Sequence, residues 1–322
     1  MSIPVVDLSA YSLTRGPEQV RNPSPEQVRD LSLELHAAFT RVGFVFLQNT
    51  GITQHEVDHV LEVAKRFFLQ PEELKRAVSR GSFSGSPNHG WVSLETERLN
   101  PRRPGDLKEA FNTTSLHLDT DWSSGALADF RDTQRWFFLR CKELSLRLLR
   151  LMALSLDLDP ERFLSAHRLV GTDKNSTTLR CLYYPPVDPE MVQQNQLRCG
   201  EHSDYGSITL LFQSSEGLQV RSRSGEFLSV PVVPGAVLVN IADLMQRWTS
   251  DRFVSVLHRV LLPPAGDLAA RQSLAFFLQP DDEAVIDCCD GSNKYAPVTS
   301  GAYLLQRFSQ SNLTCTHLAA VP

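Results

Sequence analysis

Apolar residues in the first third of the chain recur at helical spacing. Ser24-Pro25-Glu26-Gln27 offers an N-cap serine, a first-position proline and a glutamine placed to close a capping box. Val28, Leu31, Leu35, Phe39 and Val42 follow three or four residues apart, and Gly43 suits the stop, so the spacing predicts a helix there. Phe44-Val45-Phe46-Leu47 then reads as a buried strand, and the β-branched run 3–8 as an opening one. A second helix is expected from Thr53, with Glu56 in the box position and Val57, Val60, Leu61, Ala64, Phe67 and Phe68 on one face; Pro71-Glu72-Glu73-Leu74-Lys75 predicts a short third. Residues 79–90, rich in serine and glycine, read as a loop that connects elements or covers a site. From 128 to 156 a long helical stripe runs through Phe130, Phe137, Leu144, Leu148 and Leu151.

Beyond Thr177 the period changes. Short β-branched and apolar runs separated by turn residues predict strands at 179–184, 207–212, 217–220, 227–230, 236–241, 254–262 and 273–278. So many short strands imply a sandwich or barrel with the earlier helices packed outside it. The expected class is therefore α+β and mainly β, with a helix-rich region 1–170 and a strand-rich core 171–322 in one compact unit.

Composition narrows the function classes. Apolar residues make up 42% of 322 and charged residues 21%, enough to build a sizeable core. A net charge of −5 gives no electrostatic footprint for a phosphate backbone, so no nucleic-acid partner is expected. No apolar run is long enough to span a bilayer and the start lacks a signal-peptide pattern; no membrane association is expected, and a cytoplasmic setting is. The cysteines, Cys141, Cys181, Cys199, Cys288, Cys289 and Cys315, form no C-x-x-C pair and are too sparse for a disulfide scaffold, which suits reduced cytosolic thiols. The acceptor-like triplets at Asn112, Asn175 and Asn312 carry no weight in such a setting.

Dinucleotide, phosphate-loop and nucleophile-elbow glycine motifs are all absent. The informative stretch is Glu201-His202-Ser203-Asp204-Tyr205-Gly206. On extended backbone His202 and Asp204 point to one face, because side chains alternate with a period of two. A third ligand must come from afar, and His258, on the inward face with Val256 and Val260, is the natural candidate. Two histidines and one carboxylate leave coordination positions open, the arrangement of non-haem Fe(II) sites that use O2. Taken alone, an inward histidine is more often a hydrogen-bonded core residue. A second H-x-D, at His117-Leu118-Asp119, has no downstream histidine partner and reads as a solvated loop. His36, His55, His59, His167 and His317 need no function, whereas His89 is a candidate substrate contact. Arg271-Gln272-Ser273 puts a guanidinium and a hydroxyl on one strand face, a carboxylate receptor. A cation facing the interior is costly to bury without an anion, and a bound small carboxylate would supply one.

With these residues, and with Gly43-Phe44-Val45-Phe46-Leu47-Gln48-Asn49-Thr50-Gly51-Ile52, Leu179-Arg180-Cys181-Leu182-Tyr183-Tyr184-Pro185-Pro186, Gly217-Leu218-Gln219-Val220 and Val239-Asn240-Ile241-Ala242-Asp243 in order between them, nearly the whole chain resembles the isopenicillin N synthase-like branch of the 2-oxoglutarate/Fe(II)-dependent oxygenases. The resemblance implies a double-stranded β-helix, a distorted jelly roll. It implies Fe(II) on His202, Asp204 and His258, and 2-oxoglutarate as co-substrate with its far carboxylate on Arg271, Ser273 and Tyr184. The implied reaction hydroxylates or otherwise oxidises a small organic substrate with O2, releasing succinate and CO2. Two alternatives stay open on sequence: an Fe(II) oxidase of the isopenicillin N synthase type, in which the Arg-x-Ser pair binds the substrate's own carboxylate, and a non-catalytic ligand-binding protein of the same fold. Leu182 and Ala242 stand where many members carry asparagine and glycine.

Overall fold

The helix starts follow their capping chemistry. In the computed structural model, which describes residues 2–13, 23–84, 86–116, 126–188, 190, 192–264 and 266–310, β1 (Val5–Asp7) precedes α1 (Pro25–Arg41). Ser24 Oγ accepts from the Gln27 amide at 3.2 Å and Gln27 Oε1 accepts from the Ser24 amide at 3.0 Å, the full capping box. β2 (Phe44–Gln48) follows, and Thr53 with Glu56 repeats the box for α2 (Gln54–Phe68). Then come α3 (Glu72–Arg76), β3 (Gly90–Val92), β4 (Glu109–Thr113), α4 (Ala126–Ser155) and α5 (Glu161–Leu164).

The second half supplies β5 (Thr178–Tyr184), β6 (Cys199–His202), β7 (Ile208–Gln213), β8 (Leu218–Arg221), β9 (Phe227–Ser229), β10 (Val237–Ile241), α6 (Asp243–Trp248), β11 (His258–Val260), β12 (Arg271–Leu278), β13 (Val285–Ile286), β14 (Val298–Thr299) and α7 (Ser300–Gln310). An eight-stranded sheet runs β1-β2-β10-β7-β12-β5-β4-β3, and a four-stranded sheet runs β6-β11-β8-β9. The two sheets form the jelly-roll core that the resemblance implies. Strands from the segment 1–170 occupy both edges of the large sheet, so the helix-rich region is woven into the core as well as packed against it.

Alternation along β12 explains the two hydrophobic clusters. Leu274, Phe276 and Leu278 face the helices, joining Phe39, Phe67, Phe137 and Leu148 in the larger one. Ala275 and Phe277 face the small sheet with Phe44, Phe46, Leu182, Leu218, Val220 and Val260. Among the described residues no helix is long and apolar enough to cross a membrane.

Five strands escape the sequence reading: β3, β4, β6, β13 and β14 are each only two to five residues long, too short for an alternating run to stand out. The strand expected over 254–262 pairs only through His258–Val260, because upstream the Val254 amide donates to the Phe39 carbonyl at 3.1 Å instead of to a neighbouring strand. The second H-x-D, at His117 and Asp119, lies outside the described residues, as do Asn312, Cys315 and His317.

The turn between β6 and β7 is held from beneath. Amides of Asp243, Leu244 and Met245 in the first turn of α6 donate to the carbonyls of Asp204, Tyr205 and Gly206 at 2.8, 3.1 and 3.2 Å, which satisfies the orphan donors of that helix end. Gly206 is pressed so closely that a Cβ would stand 2.4 Å from the Leu278 carbonyl oxygen. Replacing Gly206 by alanine is expected to cost about 1–3 kcal/mol of stability, the range of core overpacking, and urea unfolding of the purified variant measures it.

Candidate metal centre

His202 closes β6 and His258 opens β11, and the two are Cα partners in the small sheet, with a register shift just beyond them. Asp204 sits in the turn after β6, so the H-x-D spans a strand end and a turn instead of lying along one strand that continues into β7. The two imidazole rings approach to 4.3 Å between centroids. Asp204 Oδ1 lies 3.8 Å from His202 Nε2 and 3.6 Å from His258 Nε2. One ligand atom from each of the three lies within 4.8 Å of the others, a spacing that one metal ion can bridge.

Each side chain has its other polar atom engaged. His202 Nδ1 meets the Gly200 carbonyl at 2.8 Å and His258 Nδ1 the Val256 carbonyl at 3.1 Å, which turns both Nε2 atoms toward the shared point. Asp204 Oδ2 accepts from Thr209 Oγ1 at 2.6 Å and from Asn240 Nδ2 at 2.7 Å, leaving Oδ1 for the histidines. Burial alone would raise the Asp204 carboxyl, but His258, His202 and the hydrogen bonds from Asn240 and Thr209 hold it below its ordinary value. Burial, helped by the charge of His202, depresses His258 and favours its neutral form, the one that offers a lone pair.

The predicted carboxylate receptor also assembles. Arg271 is 1% exposed and Ser273 is 2% exposed, and both line the cavity that holds the triad. Arg271 Nε donates to the Ser215 and Glu216 carbonyls, each at 3.1 Å, and Nη2 to Gln213 Oε1 at 2.9 Å; its Nη1 lies 3.5 Å from Ser273 Oγ. The guanidinium stands over the Tyr184 ring at 4.9 Å. Burial pushes the Tyr184 hydroxyl above its usual value although Arg271 opposes it. Among the described residues no carboxylate reaches ion-pair distance of Arg271, so this cation is buried against neutral acceptors alone.

The cavity, about 140 Å³, has a second polar wall that sequence reasoning missed. Arg80, Glu97, Lys108, Asn112 and Arg180 line it. Glu97 receives Arg80 Nη1 at 2.8 Å and Arg180 Nη2, with Lys108 Nζ 3.8 Å away; Lys108 also pairs with Asp106. These residues come from separate segments and each looks like a solvated charge in one dimension. Thr209 and Asn240, which orient Asp204, were legible only as polar interruptions of apolar strands. Of the other histidines, His167 is a satisfied core residue between the Phe163 carbonyl at 2.7 Å and Ser207 Oγ at 2.8 Å. His89 packs against the rings of Phe83 and Phe111, outside the lining of the cavity, and burial lowers it to about 4. From α7, Leu304 and Phe308 reach the cavity, and Arg307 ties that helix to Asp243 at 3.1 Å.

Comparison with known proteins gives one answer for both halves. The 2OG-Fe(II) oxygenase superfamily matches residues 175–280, and the N-terminal region of the non-haem dioxygenases in morphine synthesis matches residues 3–136. A 2-oxoglutarate-dependent dioxygenase, htyE, of Aspergillus rugulosus is 30% identical over 84% of this chain and 87% of its own. A proline hydroxylase, buaE, of Petromyces alliaceus is 31% identical over 82% of this chain and 86% of its own. The crystal structure of a full-length Neurospora crassa protein in complex with alpha-KG and thymine superposes with a TM-score of 0.81 at 29% identity, over 96% of each chain.

Glu97 yields a pH prediction. Burial by itself would raise its carboxyl, but Arg180, Lys108 and Arg80 outweigh that and bring it from 4.5 to about 2. A depressed folded-state value adds stability above the ordinary carboxylate range and loses it as pH falls toward about 2. The unfolding free-energy gap between wild type and Glu97→Gln is expected to narrow by about 1–2 kcal/mol from pH 7 to about pH 3. Urea titrations of both proteins at the two pH values measure it.

Proposed function

The chain belongs to the 2-oxoglutarate/Fe(II)-dependent oxygenase superfamily, and from that membership we propose that His202, Asp204 and His258 hold its iron while Arg271, Ser273 and Tyr184 receive the far carboxylate of 2-oxoglutarate. The protein is an oxidoreductase that uses Fe(II), 2-oxoglutarate and O2 on a small-molecule substrate. The observation that carries the site assignment is the meeting, in one cavity, of a convergent two-histidine, one-carboxylate set with a buried guanidinium that has no carboxylate partner among the described residues.

The donor set fits ferrous iron, with two imidazole nitrogens and one carboxylate oxygen on one side. When bound, Fe(II) with 2-oxoglutarate and O2 supplies an oxidative decarboxylation to succinate and CO2 and the oxidising equivalent for a substrate C–H bond. The chain's own work is orientation and exclusion. Backbone carbonyls of Gly200 and Val256 fix the imidazole rings, and Thr209 and Asn240 fix the carboxylate. Arg271, held open by neutral acceptors, supplies charge-assisted donors to an incoming carboxylate, and Ser273 a hydroxyl beside them. Phe44, whose ring meets that of His258 edge-on at 5.9 Å, and Leu182, Leu218 and Val260 keep the walls apolar around the reacting atoms.

The division at residue 170 marks a change of texture within what we take to be one functional unit, since strands of both parts share a sheet. A cytoplasmic setting is supported by the free thiols Cys141, Cys181, Cys199, Cys288 and Cys289.

Anaerobic titration with Fe(II) and then 2-oxoglutarate tests the reading through the weak visible band that the chelated co-substrate produces. Arg271→Ala is expected to weaken 2-oxoglutarate binding by ~1.5–3 kcal/mol with iron binding retained, and an unchanged affinity would contradict the assignment. Thr209→Val, which frees Asp204 Oδ2 of one donor, is expected to weaken Fe(II) binding by ~10–100-fold, read by calorimetry under argon.

A further inference from the structure

The cavity carries two separate cationic sites on one wall. On β5 the side chains of Tyr184, Leu182, Arg180 and Thr178 all line it, as the period of two requires. Tyr184 pairs in register with Arg271, and Arg180 with Ala275 on one side and Asn112 on the other. Four residues of strand separate Tyr184 from Arg180, about 13 Å. Arg271 therefore serves one end, and Arg180 stands farther along the same wall with the apolar Leu182 between them.

The Arg180 end is incompletely satisfied in charge and in hydrogen bonds. Among the described residues, Arg80, Lys108 and Arg180 face the carboxylates of Glu97 and Asp106, which leaves one positive charge in excess within a largely buried cluster. Among the described residues Arg180 Nε is a buried donor with no partner, and Asn112 Oδ1 is a buried acceptor with none. The Asn112 amide cannot be turned to relieve this. Its Nδ2 donates to the Asn88 backbone carbonyl at 3.0 Å, and a carbonyl can only accept. A second cavity of about 320 Å³ shares Asn88, Ser176, Leu304 and Phe308 with the first, so this end opens into space for the body of a ligand.

We propose that the primary substrate is a small organic acid, its carboxylate bound at Arg180 and an adjacent N–H or O–H accepted by Asn112 Oδ1. The assignment rests on the reading that Arg271 takes 2-oxoglutarate. An uncharged ring amide such as thymine matches the same donor and acceptor but leaves the excess charge uncompensated, and the charge decides in favour of the acid.

The test uses the full chain loaded anaerobically with Fe(II) and 2-oxoglutarate. Formation of the visible band comes first, and its failure would count against the iron and co-substrate assignments and not against Arg180. Small acids are then added beside their own primary amides: L-proline and L-prolinamide, N-acetylglycine and N-acetylglycinamide, pipecolic acid and pipecolamide, with thymine as the uncharged ring amide. Perturbation of the band and the rise in melting temperature are read. Acids are expected to act and their amides and thymine to act about tenfold more weakly or not at all. Arg180→Gln is expected to lose the response to acids while keeping the 2-oxoglutarate band, and Arg180→Lys to keep the preference for acids at reduced affinity. The proposal is overturned if amides or thymine bind as well as acids, if none of the acids acts on a wild-type protein that shows the band, or if Arg180→Gln responds as wild type does. The acid–amide comparison in wild type stands even if a variant misfolds.

Discussion

The Asp204 carboxylate is gripped through one oxygen only. Thr209 from β7 and Asn240 from β10 both donate to Oδ2, so Oδ1 has nowhere to look but toward the two imidazoles. A carboxylate buried to this degree costs several kcal/mol unless hydrogen bonds and opposite charge offset the loss of water. The same two donors that make the burial tolerable also set the direction of the free oxygen. Both reside on the large sheet, while His202 and His258 belong to the small one. The centre is thus a junction between sheets, and its geometry depends on how they pack. The first turn of α6 adds a second restraint by taking the carbonyls of Asp204, Tyr205 and Gly206 as its N-terminal acceptors.

The cations around the cavity differ in kind. Glu97 neutralises part of the charge at Arg80 and Arg180, so that end is a network in which each member has a counter-ion and the excess is spread over several groups. Among the described residues Arg271 has carbonyl, amide and hydroxyl oxygens as its acceptors, which orient a guanidinium without cancelling its charge. Arg198 sits nearby over the other reach of the Tyr184 ring, at 5.9 Å, and burial together with Arg271 depresses it. The strongest demand for an anion therefore falls at the Tyr184–Arg271 end, where a dicarboxylate co-substrate would place its remote carboxylate.

Much of this was legible in one dimension, and the reasons are local. Ser24 with Gln27 and Thr53 with Glu56 announce helix starts because a capping box is completed within four residues. His202, Asp204 and His258 could be paired because a spacing of two and an inward alternation are short-range properties. What failed was everything decided by distant backbone. β6 has only four residues, two of them flanking a glycine, and owes its existence to pairing with β11. Asp204 was expected on a strand and lies in a turn, since α6 and not a neighbouring strand claims its carbonyl. The Glu97 cluster left no trace because Arg80, Glu97, Lys108 and Arg180 meet only after the loop before β4 folds against β5.

The strand period links these levels. Because side chains alternate, β5 and β12 each devote one face to the helices and one to the cavity, and the cavity face repeats about every 7 Å. Polar residues can then occur on it without disturbing the apolar face behind, where Leu274, Phe276 and Leu278 hold the sheet to α4. This lets the chain carry Arg271 and Ser273 at one end of the row, Ala275 and Phe277 in the middle, and Gln279 just past the strand at the other. A co-substrate anchored at Arg271 and a substrate anchored at Arg180 would then be held by separate cations on one wall of the cavity, with Leu182 between them.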